Sequence, residues 1–323
     1  MSQATTPLKR LAILDDYQGV ALSLGPWDRL QGIEITVFRD TVTDRDALAR
    51  RLAPFDAILA MRERTPFPRA LIERLPNLRL LITTAARNRS IDAAACAEKG
   101  IVFCGTPSFG DPTVDIAWGL IIGLMRDLPR QVMSLRGGGW QTSVGHGLEG
   151  RTLGVIGLGK LGARVAKVGQ AFGMKTIAWS QNLTEERAAE IGATRVDKAT
   201  LLAEADVVTL HLILSDRSRG TLGAEDLARM KPTAYVVNTS RGPLIDQDAL
   251  IAALKAGTIA GAGLDVFDTE PLPPGHPLLS APNTLLTPHL GYVTQQNYRA
   301  YYQGAVDAIE AFNAGAPVRV IAP

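Results

Sequence analysis

Four histidines are the side chains whose ordinary pKa brings a proton on or off between pH 5 and 8. A step that makes or unmakes a carbonyl must protonate or deprotonate its oxygen, and imidazole is the usual carrier. His146 lies in a Gly-rich connection and His276 in a Pro-rich loop. His211 falls inside an apolar run read as strand, where a structural role is the better reading. His289 follows a short apolar run in Leu286-Thr-Pro-His-Leu-Gly291, and open α/β sheets bind their ligands at strand ends. Position alone does not separate a catalytic from a structural His289. Arg241, in Val237-Asn-Thr-Ser-Arg-Gly-Pro-Leu-Ile245, and Glu270, in Leu264-Asp-Val-Phe-Asp-Thr-Glu-Pro271, also follow apolar runs. A guanidinium can hold a carboxylate by two parallel hydrogen bonds. A carboxylate bonded to one imidazole nitrogen orients the ring and favours its charged form. Singly, such loop charges are usually solvated. The set of three, each at a strand end, is what points to chemistry.

A phosphate-binding pattern stands upstream, in Thr152-Leu-Gly-Val-Ile-Gly-Leu-Gly-Lys-Leu-Gly162. Gly157-x-Gly159-x-x-Gly162 is weak in isolation but strong here, because it follows an apolar strand and opens the helical run Ala163–Phe172. Gly157 allows the tight turn, Gly159 the approach of a pyrophosphate and Gly162 the packing of helix on strand. Leu158, Lys160 and Leu161 complete the loop whose N–H groups face the anion. About 20 residues on, where an acid would favour NAD and an Arg NADP, the chain reads Trp179-Ser180-Gln181-Asn182. Ser180, Gln181 and Asn182 can hydrogen-bond a ribose or its 2′-phosphate, so NAD(H) and NADP(H) both remain open.

The elements that must position these residues alternate along the chain. Early strands are expected at Leu11–Leu14, Ile33–Phe38, Ala57–Ala60, Leu80–Thr83 and Ile101–Phe103, with helices such as Arg45–Leu52 and Ile91–Lys99 between them. A second set of six is expected at Thr152–Ile156, Thr176–Trp179, Asp206–Leu210, Ala234–Asn238, Gly263–Val266 and Thr284–Leu286. Such alternation predicts an α/β chain with doubly wound parallel sheets. Thr294–Asn313 reads as one long helix.

At 323 residues the chain is long enough for two domains. A formal net charge of +2 gives no reason to expect a nucleic acid or an anionic membrane as partner. The most apolar stretch, Ile116–Met125, is half of what spans a bilayer and reads as a core helix. Met1–Arg10 lacks the apolar run of a signal peptide, and two unspaced cysteines suggest neither a disulfide framework nor a metal site. Cytoplasmic placement is the expectation.

Together, the Gly157–Gly162 loop, Asn238-Thr-Ser-Arg-Gly-Pro-Leu-Ile-Asp246, Gly263-Leu-Asp-Val-Phe-Asp-Thr-Glu-Pro-Leu-Pro273 and Thr287-Pro-His-Leu-Gly291 are highly specific. From about Leu11 to Asn313 the sequence resembles the D-isomer-specific 2-hydroxyacid dehydrogenases, which include glyoxylate and hydroxypyruvate reductases and 3-phosphoglycerate dehydrogenase. The resemblance implies NAD(P)-dependent reduction of a small 2-oxo acid. Arg241 would bind the substrate, Glu270 would pair with His289, and His289 would be the acid and base. Asp265 would serve the nicotinamide end, with His211, Thr239 and Gly291 as further cofactor contacts. The turn at Thr84–Asn88, with Ala85 and Ala86, would bind the substrate carboxylate through backbone N–H groups.

It also implies two Rossmann-like domains with the active site in the cleft between them. The substrate domain would be discontinuous (1–106 plus 293–323) around an NAD(P)-binding domain (107–292), and a homodimer would form through the apolar helix near Thr113–Leu128. Three departures stand out. Ala85 and Arg87 occupy positions where the family commonly has Gly, which predicts a shifted loop, since Ala disfavours positive φ. Asp115 replaces a usual Glu, and the acid near Ser180 is missing. Arg62 and Arg64 of Met61-Arg-Glu-Arg-Thr-Pro66 are placed to hold an acidic substrate, or are solvated. Two alternatives remain: a catalytically silent, NAD(H)-sensing interaction protein, and a dehydrogenase of a phosphorylated or sugar hydroxy acid.

Overall fold

Strands and helices alternate through residues 6–323, the part of the chain that this computed structural model describes. They divide into two units. One runs up to Gly110 and takes in Thr294–Pro323; the other is Asp111–Val293.

The first unit is built on β1 (Arg10–Ile13), β2 (Glu34–Val37), β3 (Ala57–Ala60), β4 (Leu80–Thr83) and β5 (Val102–Gly105), all parallel, in the order β2-β1-β3-β4-β5. β3 and β4 are buried at every position, as strands covered on both faces must be. The connecting helices are α1 (Ala21–Leu24), α2 (Arg45–Leu52), α3 (Arg69–Ile72) and α4 (Ala93–Glu98). Asp44 and Asp92 cap α2 and α4, each accepting a backbone N–H three residues on. Leu52, Ile72 and Cys96 of these helices pack on Ala12, Ile58 and Leu81 of the sheet.

The second unit begins with α5 (Thr113–Met125) and α6 (Leu128–Arg136). Its sheet holds β6 (Thr152–Ile156), β7 (Lys175–Trp179), β8 (Thr194–Arg195), β9 (Val207–Leu210), β10 (Tyr235–Asn238), β11 (Gly261–Leu264) and β12 (Thr284–Leu286). Their order is β12-β11-β10-β9-β6-β7-β8, parallel throughout. The remaining helices are α7 (Lys160–Ala171), α8 (Glu185–Glu190), α9 (Lys198–Glu204), α10 (Ala224–Arg229) and α11 (Gln247–Ala256). Alternate strand residues serve opposite faces, the period-2 rule of a strand. Leu153, Val155, Val207 and Val237 join a core with α5, α7 and α8. Ile156, Val208, Val236 and Ala262 join one with α9, α10 and α11. Each large aliphatic side chain so buried contributes roughly 1.5–3 kcal/mol.

The chain then returns to the first unit as α12 (Gln295–Asn313), capped by Thr294. α12 packs against α1, β4 and β5, and its Tyr302 ring lies 5.6 Å from that of Trp27.

Four local expectations need correction. The second sheet has a further strand, β8, whose two exposed residues carry no apolar signal. β11 pairs two residues earlier than expected, because Gly261-Ala-Gly lacks the β-branched residues that mark Val266. His211 lies one residue beyond β9 rather than within a strand. The helix expected to reach Leu128 stops at Met125; Asp127, two residues on, takes φ +53°, and Leu128 opens α6 with Pro129 in its first turn. No helix among the described residues is long and apolar enough to cross a membrane.

Candidate active site

In the second unit, the register aligns Trp179, Ile156, Leu210, Asn238, Leu264 and Leu286 as one row across neighbouring strands. The next residue of each strand is therefore Ser180, Gly157, His211, Thr239, Asp265 or Thr287, side by side along one edge of the sheet. At about 4.8 Å per strand this row spans about 24 Å. The strand order reverses between β6 and β9, the position where such sheets take a dinucleotide.

Gly157 has φ +96°, and a Cβ there would come within 2.8 Å of the His211 carbonyl. A Cβ at Gly162 would meet the Gly157 carbonyl oxygen at 2.0 Å, so that close approach of α7 to β6 requires glycine. A Cβ at Gly159 would meet nothing within 4 Å, so the surface over the loop is open. Gly159 caps α7 with no side-chain acceptor, leaving the first-turn N–H groups to face an anion. Leu158 is buried, and Lys160 sends its ammonium 2.8 Å from Asp111, which also holds Arg164 at 2.7 Å. Those cations hold the Asp111 carboxyl below the usual carboxylate range against its desolvation. The loop thus offers backbone donors rather than the Lys160 side chain. The Asp111 clamp escaped sequence reading, which had no signal linking residues so far apart. Thr239 Oγ1 and His211 Nδ1 are buried on this edge with no hydrogen-bond partner. Open glycine cradle, uncapped helix start and orphaned donors fit a nicotinamide dinucleotide.

His211 is half-buried, its Nε2 lies 2.9 Å from Thr209 Oγ1, and burial pushes its pKa down to about 4. The ring is neutral at pH 7, which suits a lining group and not a general acid.

His289 is set differently. Its Nδ1 lies 2.6 Å from Glu270 Oε2, while Glu270 Oε1 accepts the Phe267 N–H at 2.9 Å. The carboxylate is anchored at both oxygens and the ring is directed through Nδ1. His289 itself has φ +53°, a conformation costly for a residue with a Cβ. Asp265 pins that turn: its Oδ1 accepts Thr287 Oγ1 and the Leu290 N–H, both at 2.6 Å, and its Oδ2 accepts the Gly291 N–H at 2.8 Å. Thr113 Oγ1 then donates to the Gly291 carbonyl at 2.9 Å. Burial pushes the Asp265 carboxyl up against the pull of these donors and of His289. Strained backbone persists where its surroundings over-determine it, and here Asp265 does so. Sequence reading assigned Asp265 to the nicotinamide and missed this bracing.

Arg241 follows β10 on a tightly bonded loop. Asn238 Nδ2 donates to the Arg241 carbonyl at 2.8 Å, Ser240 Oγ donates to the Leu210 carbonyl at 2.9 Å, and Arg241 Nη1 donates to the Ser240 carbonyl at 2.7 Å. A cavity of about 310 Å³ in this unit lies elsewhere, among Met125, Arg130, His146, Tyr235, Asn283 and Thr284 near the starts of β10 and β12.

In the first unit, Ala85 takes φ +68° despite its side chain. The Cβ at this position does not keep the backbone out of the left-handed region. Thr106 ties the turn, its Oγ1 accepting the Ala85 N–H at 2.8 Å and its own N–H donating to the Ala85 carbonyl at 3.0 Å. Ala86 is exposed beside it. Arg62, at φ +52°, donates its N–H to Thr84 Oγ1, and its carbonyl accepts from Asn88 Nδ2.

A family model for the D-isomer specific 2-hydroxyacid dehydrogenase NAD-binding domain matches residues 118–291. Glyoxylate reductase from Thermococcus litoralis is 36% identical over 81% of this chain and 82% of its own. Hydroxypyruvate reductase from Blautia hydrogenotrophica is 31% identical over 97% of this chain and 99% of its own. The crystal structure of a phosphoglycerate oxidoreductase from Vibrio cholerae superposes with a TM-score of 0.91 at 40% identity, covering 96% of this chain and all of that one. A doubly wound sheet with a dinucleotide edge defines the class, and this chain belongs to the D-isomer-specific 2-hydroxyacid dehydrogenase family. It is accordingly an NAD(P)-dependent oxidoreductase.

Proposed function

We propose that the protein reversibly reduces a small 2-oxo acid of the glyoxylate or hydroxypyruvate kind to the D-2-hydroxy acid. The observation that carries this reading is the Glu270–His289 couple, held on the same sheet edge as the glycine cradle and Arg241. The bound dinucleotide supplies or accepts the hydride. Arg241 holds the substrate carboxylate and polarises its carbonyl. His289, oriented through Nδ1 by Glu270, donates its Nε2 proton to the oxygen in reduction and takes it back in oxidation. Gly157–Gly162, Ser180, Gln181, Asn182, His211, Thr239, Asp265 and Gly291 form the dinucleotide site.

The reading extends to a cytoplasmic homodimer. Cys96 and Cys104 are free and buried, with thiol pKa values pushed up to about 11, which suits a reducing compartment. The dimer surface is assigned to α6 rather than α5. α5 buries Ala117, Trp118, Leu120 and Ile121 within its own unit, whereas α6 buries no residue and exposes Leu128, Val132, Met133 and Leu135. The direct test of activity is oxidation of NADH and NADPH on adding a panel of 2-oxo acids. No oxidation with any of them rejects the reading.

A further inference from the structure

Three parallel strands end side by side where the adenosine end of the dinucleotide would lie. Gly157 follows β6, Ser180 follows β7, and Lys198 opens α9 just after β8. Two backbone bonds tie these ends together: Gly157 N–H to the Trp179 carbonyl at 2.9 Å, and Val196 N–H to the Ala178 carbonyl at 3.1 Å. A ribose attached to a pyrophosphate on the glycine loop therefore meets Ser180 and its neighbours.

That rim contains no acid to take the two ribose hydroxyls. Residues 180–183 form a turn closed by the Leu183 N–H on the Ser180 carbonyl at 3.1 Å, with Gln181 and Asn182 exposed at its tip. Arg195 Nε holds the Leu183 carbonyl at 2.7 Å. The Lys198 ammonium lies 5.9 Å from the centroid of the Trp179 ring. The nearby carboxylates are committed elsewhere. Asp197 accepts the Thr200 N–H and Oγ1 at 2.8 and 3.0 Å. Asp226 accepts the Gly223 N–H at 3.0 Å and pairs with Lys198 at 2.8 Å, and Glu185 lies 4.0 Å from Arg195. An ammonium held by one carboxylate keeps further N–H donors for a second anion.

Resting on the dehydrogenase reading above, we infer that the chain prefers the 2′-phosphorylated dinucleotide, with Ser180, Gln181 and Asn182 donating to the 2′-phosphate and Lys198 supplying its countercharge. Arg195 acts as a positioning residue for the turn.

The test is calorimetric binding of NADP⁺ and NAD⁺ to the intact protein, without substrate. NADP⁺ binds about tenfold more tightly, as one charge-assisted contact allows, and the preference shrinks as salt rises, because the site is exposed. Lys198→Ala lowers the NADP⁺ to NAD⁺ affinity ratio about tenfold, and Ser180→Asp inverts it by placing a carboxylate against the phosphate. Equal or tighter binding of NAD⁺ by the unaltered protein overturns the inference, as does a ratio that neither substitution moves. Binding of neither dinucleotide overturns the dehydrogenase reading along with it, which sets that failure apart from a mere preference for NAD⁺.

Discussion

His289 is held twice, by Glu270 at its Nδ1 and by Asp265 through the N–H groups that follow it. The first contact fixes the ring through its Nδ1, and the second sets where the ring stands. Replacing His289 by Ala should lower kcat about 10²–10⁴-fold, the range of general acid–base groups. Near-native turnover in single-turnover and steady-state assays would remove His289 from the proton transfer. Arg241→Lys keeps the charge but not the fork, so KM for the 2-oxo acid should rise roughly tenfold or more. An unchanged KM and kcat would count against a bidentate grip. His289, Arg241 and Glu270 were legible because each is a chemically distinctive residue just past an apolar run. The bracing role of Asp265 was not, because its partners lie 22–26 residues away and are met only in the folded turn.

At the scale of elements, the β6–Gly157-x-Gly159-x-x-Gly162–α7 unit carries its own signature, and its glycines serve packing as well as ligand approach. Gly162→Ala would put a methyl 2.0 Å from the Gly157 carbonyl oxygen, so helix or loop must move. It should cost about 1–3 kcal/mol of stability and weaken dinucleotide binding together. Calorimetric melting and titration of the same sample check both, and loss of neither would mean that the helix start yields freely. Strands built from aliphatic runs, such as β3, β4 and β6, were readable to the residue. β8 and β11 were not. One is two polar residues and the other is glycine-rich, and both exist because neighbouring strands offer them a ladder.

For the whole molecule, α6 shows how an amphipathic helix can remain uncovered within its own unit. Leu135→Glu on its exposed apolar face should convert a dimer into monomers, as sedimentation equilibrium would show. A dimer of unchanged strength would place the interface elsewhere. Stability should also carry the mark of His211. Its folded pKa, about 4, lies below the ordinary 6.5, so the unfolded chain binds the proton first as pH falls. The contribution is complete above 6.5 and is lost as pH drops towards 4. Between pH 7 and pH 5 it amounts to about 2 kcal/mol. Urea midpoints should therefore fall more steeply over that range in the unaltered protein than in His211→Asn, and parallel profiles would refute the burial argument.

The sequence by itself determined the alternating α/β order, the glycine cradle and the three residues of the proposed proton transfer and substrate grip. Each of these depends on short-range pattern: apolar period, turn chemistry and the residue after a strand. Tertiary structure alone decided which strands stand side by side and so aligned Ser180, Gly157, His211, Thr239, Asp265 and Thr287 in one row. It also decided that Ala85 bears a left-handed turn. Strand order, hydrogen bonds between distant residues and tolerated strain arise from contacts whose partners are far apart in the chain, and no local pattern encodes them.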